Sequence, residues 1–198
     1  MKLTRQDISS SLVTGFTTGL ISWQIFAYLD ITSIVGIPPA ALVVIVPVLW
    51  IIGVWFGYFL GQWIGFFNQF GRFATIGFTN AAVDFGVLYI LIALTGTVKG
   101  PGFSVFKAIS FMIAVTHSYF WNRYWTFERK NAAGSREFIS FIVVSVIALM
   151  INVGVASIVN ALPTLVSPAA WAGVAAIAGS AVSLLLSFIG YRLLVFKR

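Results

Sequence analysis

The stretches SYFWNRYWTFERK (residues 118–130) and SFIGYRLLVFKR (residues 187–198) end two long apolar segments with the same pattern. They align with an offset of 69 residues, the separation of Arg123 and Arg192. The matched pairs are Ser118 and Ser187, Arg123 and Arg192, Phe127 and Phe196, and Arg129 and Arg198. Because each stretch closes an apolar run with basic residues, the pattern predicts equivalent ends of two duplicated helices.

The composition indicates a membrane protein. Of 198 residues, 60% are hydrophobic and only 9% are charged, and the mean hydropathy is +1.00, which leaves too little polar surface for a water-soluble globule. A membrane-spanning helix needs about 20 mostly apolar residues. The apolar runs predict an all-α polytopic membrane protein with six transmembrane helices, at about 8–29, 39–62, 73–94, 103–122, 138–161 and 169–191.

The first of these runs is the most polar, since it contains Ser9, Thr14 and Gln24. It is either a retained helix or a signal peptide. We interpret it as a retained helix because no small-x-small cleavage site follows its apolar part.

Basic residues are distributed unevenly between the two sets of predicted helix ends. Lys99 and Lys107 lie at one set, and the other ten basic residues lie at the opposite set. These ten are Lys2, Arg5, Arg72, Arg123, Arg129, Lys130, Arg136, Arg192, Lys197 and Arg198. Positive loops stay in the cytoplasm, so the pattern predicts that both termini and the 123–137 loop are cytoplasmic.

The charges and the missing residue types exclude several classes of function. The net charge is +7 and the pI is about 10.1, but the basic residues lie beside helix ends instead of forming one soluble patch, so we expect no nucleic-acid partner. Cysteine is absent, and the five acidic residues are scattered without a DxD string. No GxxxxGK[ST] nucleotide-binding loop occurs either. We therefore expect neither an enzyme nor a bound cofactor or metal.

An internal repeat organises the second part of the chain. With an offset of 68 residues, the third predicted helix aligns with the fifth and pairs Phe73 with Phe141, Asp84 with Asn152, Gly86 with Gly154, and Val87 with Val155. The sequence thus predicts two parallel hairpin repeats, 72–130 and 137–198, related by an axis along the membrane normal. The alternative is that apolar helices with basic ends resemble one another without duplication.

Residues 1–70 lie outside the repeat and predict a separate N-terminal two-helix hairpin, followed by a four-helix domain at 71–198. The second helix of this hairpin contains a glycine at every fourth position: Gly53, Gly57, Gly61 and Gly65. Such a ladder permits close approach of another helix. We expect the neighbouring core helix to pack on it, with another subunit as the alternative.

Polar side chains at membrane depth are the candidate site residues. Asp84 lies near the middle of the third helix, and Asn80 shares its face. These residues either form hydrogen bonds between helices or line a polar path for a substrate. Lys107, Ser118 and Asn122 share roughly one face of the fourth helix. Lys107 is either an interface anchor or a residue that receives an anion.

Arg123 and Arg192 each stand among aromatic residues at a cytoplasmic helix end. A guanidinium can bind a phosphate through two hydrogen bonds, so two symmetry-related arginines could hold one phosphate. Arginine beside tryptophan and tyrosine is also ordinary for a membrane interface. From the residues alone, both interpretations remain open.

Residues 72–198 resemble GtrA-like proteins. The similarity lies in the strings RFATIGFTNAAVDFGVLYIL (72–91), KAISFMIAVTHSYFWNRYWTFERK (107–130), REFISFIVVSVIALMINVGVAS (136–157) and GYRLLVFKR (190–198). Family members are small four-helix bacterial membrane proteins thought to carry polyprenyl-phosphate-linked monosaccharides across the membrane for polysaccharide glycosylation. A related domain is fused to polyprenyl-phosphate mannose synthases, where it looks like an anchor. The 1–70 hairpin departs from the family pattern.

The resemblance implies roles for eight residues. Arg123, Arg192 and Lys107 would bind the substrate phosphate, and the polar positions Asn80, Asp84, Asn152, Ser118 and Asn122 would contact the sugar. The expected partner is a polyprenyl-phosphate monosaccharide lipid, and the expected function is its translocation. The alternative is a non-catalytic membrane anchor or adaptor for a glycosyltransferase. A homo-oligomer is a further expectation.

Overall fold

The computed structural model describes residues 3–97, 100–129, 134–163 and 168–196. Six α-helices account for most of this part of the chain, which contains no β-strand. The helices are α1 (Arg5–Tyr28), α2 (Leu42–Leu60), α3 (Phe67–Thr95), α4 (Gly100–Trp121), α5 (Ser135–Asn160) and α6 (Pro168–Gly190). A 3₁₀ turn, Pro39–Ala41, precedes α2. The protein is therefore an all-α polytopic membrane protein, as the composition predicts.

The helices form two compact units, of which the first contains residues 1–128 and the second residues 129–198. In the first unit, α1 and α2 both pack against α3, and α3 also packs against α4. The second unit is the α5–α6 hairpin. By packing, the N-terminal hairpin thus joins the first predicted repeat, while the division at residue 70 stays a prediction from the sequence.

Four helical segments in the described part of the chain are long and apolar enough to cross a membrane: Pro39–Leu60, Phe67–Thr95, Ser135–Val155 and Ala178–Val195. Among the described residues, neither α1 nor α4 supplies such a segment, and the spanning role of both helices stays a prediction. The 24 residues of α1 extend about 36 Å at about 1.5 Å per residue. Its hydroxyl residues Ser10, Ser11, Thr14 and Thr18 are buried, so these polar groups face protein.

Two glycines bring α1 into backbone contact with α2. A Cβ atom added at Gly15 would lie 2.4 Å from Pro47 Cα, and one added at Gly19 would lie 2.3 Å from the Leu42 carbonyl oxygen. Neither distance is sterically possible, so only glycine fits. Close backbone approach is how membrane helices gain van der Waals contact, and this seam fixes the N-terminal hairpin.

The predicted glycine ladder is used only in part. α2 ends at Leu60, so the ladder does not continue along one helix as expected. A Cβ added at Gly57 would lie 3.0 Å from Gly71 Cα at the start of α3, which is the expected packing on a neighbouring helix. The Cβ positions of Gly53 and Gly65 face open space.

Hydrogen bonds join the first three helices near the middle of α3. The Thr79 hydroxyl of α3 accepts from Thr18 of α1 at 3.1 Å and from the Trp50 indole of α2 at 3.2 Å. A little further along α3, a Cβ added at Gly86 would lie 2.6 Å from the Ile21 side chain of α1. The first repeat thus receives α1 on a face built around small and hydroxyl residues.

The matched stretches around Arg123 and Arg192 have the same backbone structure. After α4 the chain forms a π-turn at Asn122–Thr126, and after α6 it forms a π-turn at Tyr191–Val195. The Phe127 amide donates to the Asn122 carbonyl at 2.8 Å, and the Phe196 amide donates to the Tyr191 carbonyl at 2.8 Å. Both turns therefore end at matched phenylalanines, and both of these are buried.

We expect Gly15→Ala to destabilise the protein, because its new methyl group would push α1 away from the backbone of Pro47. Core overpacking costs about 1–3 kcal/mol, and each kcal/mol lowers the melting temperature by about 2–4 °C in a protein of this size. This shift is measured by heating the protein in detergent and determining the remaining folded fraction by size-exclusion chromatography.

Gly53→Ala is the matched control, since its methyl group meets nothing within 4 Å and alanine is the better helix former. An equal or higher melting temperature is expected for this variant. If the two variants melt together, the α1–α2 seam does not hold the hairpin.

Candidate functional site

The carboxylate of Asp84 is bonded across the first repeat. Its Oδ1 accepts a hydrogen bond of 2.6 Å from the Ser110 hydroxyl of α4. Ser110 is fully buried, and Asp84 is half-buried. A carboxylate at this depth costs about 2.5–3.5 kcal/mol on insertion scales, and the hydroxyl offsets part of that cost. The interhelical hydrogen bond left open by the sequence is therefore present.

Asn152, the residue that matches Asp84 in the second repeat, makes a corresponding contact. Its amide Nδ2 donates to the hydroxyls of Ser180 at 3.3 Å and Ser183 at 3.2 Å, both on α6. Each hairpin thus joins a carboxylate or amide on its first helix to serine on its second helix.

Two amide oxygens of the first repeat are buried without a hydrogen-bond donor among the described residues. They belong to Asn80 on α3 and Asn122 in the first π-turn. The Asn122 Nδ2 donates to the carbonyl and hydroxyl of Ser118 at 3.0 and 3.1 Å, which brings two predicted site residues together. An unsatisfied buried acceptor costs about 1–3 kcal/mol, so both oxygens can gain from a donor on a ligand.

The matched arginines stand in different surroundings. Arg123 is fully buried, with its guanidinium carbon 5.6 Å from the centroid of the Tyr124 ring. Arg192 is exposed. They belong to different units, so their joint binding of one phosphate stays a prediction. The backbone of Lys107 lies in α4, and its side chain lies outside the described part of the chain.

One end of the first unit contains a buried ion-pair network, which we name the arginine end: Asp7, Tyr58, Arg72, Trp125 and Glu128. Arg72 Nε lies 2.7 Å from Asp7 Oδ1, and Arg72 Nη1 lies 2.5 Å from Glu128 Oε1. The same Nη1 donates to the Trp125 carbonyl at 3.0 Å, while Nη2 donates to the Tyr58 hydroxyl. All the nitrogens of the guanidinium therefore face polar atoms.

Asp7 is the second centre of this network and is completely buried. Its carboxylate accepts from the Tyr58 hydroxyl at 3.0 Å, from the Trp125 indole at 3.0 Å, and from the amide and hydroxyl of Thr4. Burial raises the pKa of Asp7, but the hydrogen bonds from Thr4 and Trp125 and the charge of Arg72 outweigh it and hold this pKa below its usual range.

The arginine end is not evident from the sequence alone. Asp7 is one of five scattered acidic residues, and Arg72 is one of the ten basic residues beside one set of helix ends. One local signal was present, because Thr4 and Asp7 have the spacing of a capping box. That signal marks a helix start, but nothing in it identifies a partner 65 residues further along the chain.

We expect Arg72→Gln to destabilise the protein by about 3–5 kcal/mol, the usual cost of leaving one member of a buried ion pair alone. The double variant Asp7→Asn with Arg72→Gln is expected to recover part of this loss, since it removes the uncompensated charge. Thermal unfolding in detergent at neutral pH tests both.

The pH dependence has a defined sign. Because folding lowers the pKa of Asp7, the stability that its carboxylate contributes is complete above the ordinary aspartate range and is lost as the pH falls through the lowered value.

The comparison of variants has its own contrary outcome. If the melting temperature of the double variant Asp7→Asn with Arg72→Gln does not exceed that of Arg72→Gln alone, the arginine end is not held together by its charges.

Comparison with known proteins identifies the domain to which this site belongs. The GtrA/DPMS transmembrane domain matches residues 72–196, which contain most of α3, all of α4 to α6 and both π-turns. The "Uncharacterized membrane protein YngA" of Bacillus subtilis (strain 168) is 32% identical over 127 residues, covering 64% of this chain and 78% of that protein. No solved structure matches. With the match over more than half of its length, the chain belongs to the GtrA/DPMS transmembrane-domain family.

Proposed function

We propose that the protein translocates a polyprenyl-phosphate-linked monosaccharide across the bacterial cytoplasmic membrane to supply glycosylation of cell-surface polysaccharides. The observation that carries this proposal is the matched polar pairing, Asp84 with Ser110 and Asn152 with Ser180 and Ser183, in two hairpins of a GtrA/DPMS domain. These groups can exchange their mutual hydrogen bonds for bonds to sugar hydroxyls.

The unsatisfied amide oxygens support the same path. Asn80 and Asn122 each hold a buried acceptor without a donor in the described part of the chain, and Ser118 lies beside Asn122. A sugar offers several hydroxyl donors, and each unpaired polar group costs several kcal/mol in hydrocarbon. The protein therefore lowers the barrier by supplying acceptors where lipid has none.

In the proposed mechanism the phosphate is bound by arginine. Arg123 and Arg192 collect the phosphate at the cytoplasmic leaflet; Arg123 is buried and Arg192 is exposed. Lys107 receives the phosphate on the outer side. Both termini lie in the cytoplasm, as the distribution of basic residues predicts.

The membrane potential favours this direction. A lipid monophosphate that links one sugar carries one negative charge, and outward movement of that charge gains about 2.3 kcal/mol per 100 mV when the interior is negative. Neither nucleotide hydrolysis nor a cofactor is needed, and the protein acts as a carrier and not as an enzyme.

A second candidate is a membrane anchor or adaptor for a glycosyltransferase. The family description favours keeping it, because it joins GtrA proteins with the transmembrane domain of DPMS. An adaptor would act through its loop charges, whereas a translocase would act through the polar residues between helices.

Reconstitution in liposomes with a polyprenyl-phosphate glucose tests the proposal. We expect the wild type to accelerate exposure of the inner-leaflet sugar, and Asp84→Asn and Arg192→Ala each to slow it about tenfold or more. Loss of one charge-assisted hydrogen bond costs about 1.5–3 kcal/mol, and 1.36 kcal/mol is a factor of ten in rate.

Neutralising the loop charges with Arg129→Gln, Lys130→Gln and Arg136→Gln is the control. A translocase keeps its rate in this triple variant. If liposomes with wild-type protein expose the sugar no faster than empty ones, translocation is ruled out and the adaptor becomes the better proposal.

A further inference from the structure

We propose that the N-terminal hairpin positions Arg123. Asp7 of this hairpin, together with Arg72 of α3, holds Trp125, which lies two residues after Arg123 in the first π-turn. The inference rests on the proposed function only in giving Arg123 the substrate phosphate. It assigns a role to residues 1–70, which lie outside the GtrA/DPMS match.

Trp125 is bonded through both its backbone and its ring. Its carbonyl accepts from Arg72 at 3.0 Å, and its indole donates to Asp7 at 3.0 Å. Asp7 and Arg72 are themselves joined at 2.7 Å. Three residues from α1, α3 and the first π-turn thus form a closed triangle that fixes both the backbone and the ring of Trp125.

Arg123 lies in the same π-turn as Trp125. Arg123 lies between Asn122, whose amide is bonded to Ser118 on α4, and Trp125, which is bonded to Asp7 and Arg72. A π-turn is a rare backbone form. Bonds on both sides of Arg123 hold the backbone of the turn that carries it, and one side depends on the N-terminal hairpin.

The second repeat contains a π-turn that is closed by the same backbone hydrogen bond. The residue matching Trp125 is Leu194, which is 64% exposed and has no hydrogen-bond donor in its side chain. The residue matching Arg72 is Ser140. Arg192 is exposed where Arg123 is buried. The two arginines thus differ in burial, and the bonds from Trp125 to Asp7 and Arg72 have no equivalent at these matched, described positions of the second repeat.

Further contacts show that the hairpin is committed to this end. Tyr58 of α2 donates to Asp7 and accepts from Arg72, and it packs with Val54, Ile76 and Trp125 in one buried cluster. Both helices of the hairpin therefore meet the triangle. A simple surface ion pair would not reach into the turn that carries Arg123.

Spin labelling tests the positioning without any transport assay. The chain has no cysteine, so Tyr124→Cys places one label next to Arg123, at a residue that is 52% exposed. Leu193→Cys is the matched site in the second repeat and is 57% exposed. We expect Asp7→Asn to increase label motion at position 124 and leave position 193 unchanged.

Two results of that experiment overturn the inference. One is an unchanged spectrum at position 124 in Asp7→Asn protein that still elutes as a folded species. The other is an equal increase at both positions, which indicates general loosening instead of local positioning.

Transport in the same liposomes tests the link to the substrate. Asp7→Asn and Trp125→Phe are each expected to raise the lipid concentration for half-maximal transport about tenfold with the maximal rate retained, and Asp7→Glu to restore part of it. The double variant should be no worse than either single variant, because residues that act through one contact are not additive. Additive losses, or unchanged affinity, overturn the role in phosphate binding.

Failure of the proposed function gives a different result. If wild-type protein transports no lipid, the translocase proposal fails, and the spectra at positions 124 and 193 alone decide whether the hairpin positions the turn.

Discussion

The arginine end depends on one buried charge. Arg72 is only 6% exposed, and an arginine removed from water requires a counter-charge and polar partners. Asp7 of α1 supplies the counter-charge, and Glu128 adds a second carboxylate. The Tyr58 hydroxyl and the Trp125 carbonyl each accept a hydrogen bond from the guanidinium. The positions of α1, α2, α3 and the first π-turn relative to one another follow from this requirement.

Packing along the rest of the first unit agrees with that arrangement. Gly15 and Gly19 let α1 lie against the backbone of α2, and Thr79 joins α1 and α2 to α3 through hydrogen bonds. The N-terminal hairpin is thus bonded to the first repeat near the middle of α3 as well as at the arginine end. This explains why residues 1–128 form one compact unit although the family match begins at residue 72.

The sequence predicted local features and missed long-range ones. Apolar runs indicated six helices, and the matched Arg123 and Arg192 stretches indicated two equivalent helix ends, because length and residue type act within one segment. The partners of Asp84 and Asn152 could not be chosen, since several serines were available on each facing helix. The Asp7–Arg72 pair was missed because its members are far apart in sequence and neither position stands out alone. The close packing at Gly15 and Gly19 was not predicted, because the regular glycine spacing lies in α2 and indicated packing on that helix instead.

The long reach of the Trp125 bond has a consequence for biosynthesis. Asp7 and Trp125 are separated by 118 residues, and chains emerge from the ribosome with the N-terminal part first. Asp7 can meet Tyr58 when α2 is complete and Arg72 when α3 begins, but the indole arrives only after α4. A chain that ends before Trp125 lacks one of the donors to this carboxylate. The full set of bonds at the arginine end therefore exists only when α1 to α4 and the first π-turn are all present.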